Sequence, residues 1–185
     1  MQTQTPTTTP STPSISARSS LTLDALAAMS LDELDALYRT ATVSKTMHAA
    51  DGALVGRMLA VRGLGGPLAQ GLRRFAASRS FVWEGKSFQA TSDTKGTGIN
   101  RVSIPKALGR QNLFPFATAF GPSAIDGKPT LVLDYALDVN PSYIQAIHDE
   151  IREVAPGLFL GPAMWKGAGG KKTLVLWFAL DSRLA

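Results

Sequence analysis

The sequence predicts an α+β fold, mainly antiparallel β-sheet, that closes part-way into a barrel. About six to eight short apolar runs are separated mostly by glycine, proline and aspartate turns, which is hairpin spacing and not crossover spacing. Helical periodicity is confined to a few stretches, so roughly two to four helices flank the sheet. A sheet of many short strands hides its edges best by curling onto itself. The 185 residues, 44% of them hydrophobic, can bury a sizeable core and amount to about one domain with a tail.

Residues Met1 to Ser20 are nearly all Thr, Pro, Ser and Gln. They bury too little apolar surface to offset ordering entropy, so a disordered tail is expected ahead of a single domain over 21–185. The tail lacks the basic start and apolar run of a secretory signal. Leu23–Met29 reads as a short helix. Ser30 caps a second one, with Asp32 and Glu33 in its first turn at the positive end of the helix dipole. Leu31, Leu34, Leu37 and Tyr38 line one face, and the helix ends near Thr42.

Asp51-Gly52 marks a turn. Ala53 to Arg62 then reads as a strand, with Leu54, Met58 and Ala60 opposite Val55, Arg57, Leu59 and Val61. Gly63 to Pro67 breaks the chain before a short helix at Leu68–Ala77. The break has neither Walker spacing nor a GxGxxG pattern, and reads as a tight turn. Phe81 to Ala90 is a strand, in which Gly85 suggests a bulge or a close backbone approach. Polar, glycine-rich Asp93–Asn100 reads as a loop. Arg101–Ile104 is a short strand cut off by Pro105, and Leu113–Phe120 is extended.

Asp126-Gly127 is a hairpin turn signal leading into a strand at Leu131–Tyr135. Asn140 and Pro141 suit the cap and first position of a helix. Ile144, Ile147, Ile151 and Val154, at spacings of three and four, supply its apolar face, and Pro156-Gly157 ends it. Leu158–Leu160 and Thr173–Leu180 are strands around the glycine-rich turn Gly167–Gly170.

Composition narrows the function. Without cysteine there is no disulfide, thiolate zinc site or cysteine nucleophile. That absence suits a reducing compartment, so a cytoplasmic location is expected. The net charge of +5 is scattered, with no basic run interleaved with stacking aromatics, which argues against nucleic acid as a partner. No apolar run reaches the roughly 18–20 residues of a membrane span. Two histidines without paired spacing make a metal site unexpected, no serine stands in a GxSxG elbow, and no cofactor is expected.

The candidates for chemistry are few. Asp134 interrupts an apolar strand: either its face is solvent and the residue is ordinary, or it looks into a cavity as a ligand anchor or acid/base group. Tyr135 follows it. His148 falls at the edge of the expected helix's apolar stripe, where it is either a hydrogen-bonded structural histidine or a general base.

Gly56-Arg57-Met58 and Trp83-Glu84-Gly85-Lys86-Ser87-Phe88 resemble the small bacterial GXWXG-type proteins, which carry a glycine-tryptophan strand and later a Trp-x-Gly-Lys-x-Phe segment. The resemblance covers about a third of the chain, and Met58 stands where the family has its tryptophan. It implies a calycin, lipocalin-like barrel that holds an apolar ligand. The leading expectation is therefore a non-catalytic binder of an apolar small molecule, a fatty acid or polyketide-like compound. Arg57, Lys86 and Arg101 would meet a carboxylate, and Trp83, Tyr135, Trp165 and Trp177 would contribute to the site. The alternative is a cyclase or isomerase on the same scaffold, moving protons with Asp134, Tyr135 or His148. A structural or protein-interaction domain would have no internal cavity.

Overall fold

A computed structural model of the chain describes residues 21–61, 82–104 and 109–184. The expected tail at 1–20, the glycine break at 63–67 and the helix at 68–77 lie outside the described residues.

Eight strands pair each with the next, all antiparallel, as a closed barrel: β1 (Gly52–Val61), β2 (Val82–Ala90), β3 (Lys95–Ile104), β4 (Gly109–Pro122), β5 (Pro129–Asp134), β6 (Ile147–Ala155), β7 (Leu158–Lys166) and β8 (Lys172–Asp181). The expected partial closure is complete, because β1 pairs with β8 from Val55↔Asp181 to Val61↔Leu176. The turn signal at Asp126-Gly127 joins β4 to β5, with Gly127 at φ 73°.

Among the described residues two α-helices precede the barrel. In α1 (Leu23–Ala27) the Thr22 hydroxyl accepts from the Ala25 amide, and α2 (Leu31–Thr40) opens on a full capping box between Ser30 and Glu33. Their apolar faces do not enter the barrel. Leu23, Leu26, Leu34, Leu37 and Tyr38 pack on its outside, against Val154, Leu158, Leu160, Trp177 and Ala179. Strands β6, β7 and β8 are therefore buried on both faces, and the barrel has one core inside it and a second beneath the helices.

Two expectations are corrected. Residues 141–155 are not one helix. Only α3 (Ser142–Gln145) is helical, and Ile147–Ala155 is strand β6. Ile147, Asp149 and Ile151 point into the barrel, while His148, Glu150, Arg152 and Val154 point out, the last three beneath α2. Asp93–Asn100 is likewise no loop beyond Thr94, since β3 begins at Lys95 and pairs with β2 and β4. Its glycines answer to packing: the Phe116 ring occupies the place where a side chain at Gly98 would stand.

Candidate functional site

The barrel interior is solid at one end and hollow at the other. Leu54, Phe88, Leu131, Ile151, Phe159 and Leu180 belong to the filled part. A cavity of about 120 Å3 occupies the end at which β1 finishes and β2 starts, bounded by Met58, Trp83, Phe114, Ile144, Trp165 and Phe178 among others. One water needs only roughly 10–15 Å3, so the space suits a small organic molecule.

Four polar side chains meet at its wall: Lys86 from β2, Asn100 from β3, Tyr135 just after β5 and Asp149 from β6. Strand alternation brings each of them inward. Lys86 Nζ donates to Asn100 Oδ1 at 2.8 Å, to the Tyr135 hydroxyl at 2.5 Å and to Asp149 Oδ2 at 3.0 Å. Tyr135 in turn donates to Asp149 Oδ2 at 3.1 Å. Asn100 Nδ2 donates to the Phe114 carbonyl and to Tyr135, while Trp83 Nε1 donates to Asn100 Oδ1 at 3.1 Å. These partners fix the Asn100 amide orientation, because an ammonium and an indole N–H can only donate.

The ammonium also lies 5.2–5.4 Å from the ring centroids of Trp83, Phe116, Tyr135 and Phe178, a cation–π environment that partly replaces lost hydration. Burial pushes the Lys86 pKa down, and the charge and hydrogen bond of Asp149 pull it back up without fully offsetting that. Burial, then the Asp149 charge, holds the Tyr135 hydroxyl well above the ordinary tyrosine range, so it stays protonated. Asp149 Oδ1 is buried with no hydrogen-bond partner among the described residues.

Two backbone features shape this wall. Gly85, at φ 129°, sits at a bulge where β2 loses register with β3, and a Cβ at Gly56 would lie 2.6 Å from the Trp83 ring. Gly56 and Gly85 thus let Trp83 lie close against β1. Phe114 is bulged out of the β3–β4 ladder at φ 57°, which brings its carbonyl to Asn100.

Of the residues expected at a site, Trp83, Lys86, Tyr135 and Trp165 line the cavity. The others do not. Arg57 faces outward and pairs with Asp24. Arg101 reaches across Gly85 to donate to the Leu54 carbonyl at 2.7 Å. Trp177 is buried in the outer core, its ring 5.4 Å from that of Tyr38. Asp134 is exposed outside the barrel and pairs with Lys166 at 3.2 Å. His148 is buried on the outer face, its Nε2 2.9 Å from Glu150 Oε1. The inward sides of those positions belong to their neighbours in sequence, Asn100 beside Arg101 and Asp149 beside His148, as a period of two requires.

Asn100 and Asp149 are the polar residues that sequence reasoning missed. The available signal was alternation, Ile147-x-Asp149-x-Ile151, which a helical reading of the same residues obscured.

The chain matches no protein-family model and no curated protein. It is similar in structure to a protein from Thermomonospora curvata known from a crystal structure, with 17% sequence identity, over 83% of this chain and 87% of that one, at a TM-score of 0.49.

Proposed function

We propose that the protein is a lipocalin-like binder that takes up an apolar small molecule, of fatty-acid or polyketide-like size, in the barrel cavity, and that it works in the cytoplasm. One observation carries this reading: the cavity wall is almost wholly apolar and aromatic, with a few convergent polar groups at one place. That pattern marks small-molecule sites. The apolar wall supplies affinity by burying the ligand, and the polar groups fix its orientation.

A second reading has its own support. Lys86, Tyr135 and Asp149 form a buried, hydrogen-bonded acid/base cluster within the cavity wall, a setting in which an isomerase or cyclase moves a proton. On this reading the groups are those three and not Asp134 or His148.

Native mass spectrometry of the purified protein, followed by denaturation and analysis of what is released, tests both readings. A stoichiometric apolar molecule is expected. A protein that is empty and also fails to brighten a hydrophobic dye would sink the cavity-binding reading. Turnover of the released molecule, abolished in Tyr135→Phe, would favour the enzyme.

A further inference from the structure

The hydrogen bonds at the cavity wall specify the ligand more narrowly, given that the cavity binds one. Among the described residues every side-chain donor there is spent. The three protons of the Lys86 ammonium go to Asn100, Tyr135 and Asp149, and the Tyr135 proton goes to Asp149. The two Asn100 amide protons go to Phe114 and Tyr135, and the Trp83 proton goes to Asn100. Among the described residues a ligand carbonyl or carboxylate therefore meets no free side-chain donor. What remains among them is an acceptor: Asp149 borders the cavity, and its Oδ1 is buried without a partner.

Charge leads to the same result. Among the described lining residues only Lys86 and Asp149 carry charge, and they neutralise each other at 3.0 Å. An added carboxylate or ammonium would be an unpaired ion in an apolar enclosure. A neutral donor adds no net charge and satisfies the orphaned oxygen.

We infer that the ligand is a neutral, hydroxyl-bearing apolar molecule of the alcohol or phenol class, whose O–H donates to Asp149, and not a fatty acid. This inference rests on the cavity-binding reading and narrows it. The carboxylate expected to meet Arg57, Lys86 and Arg101 has no place in it, since the two arginines lie outside the cavity and the lysine is saturated.

Equilibrium dialysis of the full chain against naphthol, naphthalene and naphthoate at neutral pH tests it, because the three share a ring system and differ in the polar group. Naphthol should bind about tenfold or more tightly than naphthalene, a typical return for a hydrogen bond to a charged group, and naphthoate should bind most weakly. Naphthol no tighter than naphthalene, or naphthoate equal to naphthol, overturns the inference but leaves the cavity reading standing. Binding of none of the three overturns the inference, and an empty protein that also fails to brighten a hydrophobic dye overturns both. In the charge-neutral double variant Lys86→Met with Asp149→Leu, the naphthol preference should vanish while naphthalene still binds. A preference that persists there would assign the donor to some other partner.

Discussion

Lys86 and Asp149 belong to one unit, and their energetics should show it. Each is almost fully buried, with side chains 4% and 5% exposed. Removing one partner strands the other's charge in an apolar enclosure, so Lys86→Met or Asp149→Leu alone should cost about 3–5 kcal/mol of stability. The double variant removes both charges and should recover most of that loss. Chemical denaturation of the four proteins checks the coupling, and additive losses would show that the two residues act independently. The sequence made Lys86 visible through the Trp-x-Gly-Lys-x-Phe resemblance, and Tyr135 as the neighbour of Asp134 on an apolar strand. It hid Asp149 and Asn100, because one stood in an apparent helix and the other in an apparent loop.

Strand β6 shows why the element scale was harder to read than the fold class. Ile147 and Ile151 are four residues apart, a separation that keeps two side chains on one face of a helix and equally on one face of a strand. Ile144 belongs to α3, one turn earlier, and completed a false helical stripe. Ordinary alternation would have corrected this, but β6 is buried on both sides, its outer face occupied by polar residues that are hydrogen-bonded there. Glu150 accepts from the Tyr38 hydroxyl at 2.8 Å, from Ser123 at 2.5 Å and from the Ala124 amide at 2.7 Å. Arg152 donates to both Asp126 carboxylate oxygens, at 2.9 and 2.7 Å, and to the carbonyls of Tyr38, Lys128 and Pro129. This guanidinium ties α2, the β4–β5 turn and β6 together. Arg152→Ala should therefore cost about 3–5 kcal/mol, measured as a shift in the denaturant midpoint. A loss below about 1 kcal/mol would mean the outer network does not hold α2 in place. The hairpins, by contrast, were legible from Asp126-Gly127 and the glycine-rich turn before β8, because tight turns need particular residues.

For the molecule as a whole, buried titratable groups limit the pH range of stability on both sides. Burial alone would raise the Glu150 carboxyl, but hydrogen bonds from His148, Ala124, Ser123 and Tyr38 hold it below its ordinary 4.5; the Arg152 hydrogen bond outweighs burial and lowers Asp126 from 3.8. Their stabilisation is present above those values and lost as pH falls through the depressed ones. Tyr38 and Tyr135 are both raised from 10.0, chiefly by burial, so their contribution is complete below 10.0 and drains away as pH climbs beyond it. Thermal melting across pH should give a plateau with falls below about pH 4.5 and above about pH 10. A midpoint still rising above pH 10 would contradict the buried, neutral tyrosines.

Seven of the eight strand pairings join neighbours in sequence, whereas the eighth brings β1 to β8 across nearly the whole described chain. Such a distant pairing gains nothing until the loop entropy it spends has been met, which places it late in folding. Met58 and Trp83 on one side of that seam, and Val175, Leu176 and Phe178 on the other, all border the cavity. The pocket comes into being only when the seam closes. If the cavity takes up a ligand, that ligand should slow the opening of the barrel while leaving its assembly rate almost unchanged, as a kinetic latch on the last step of folding.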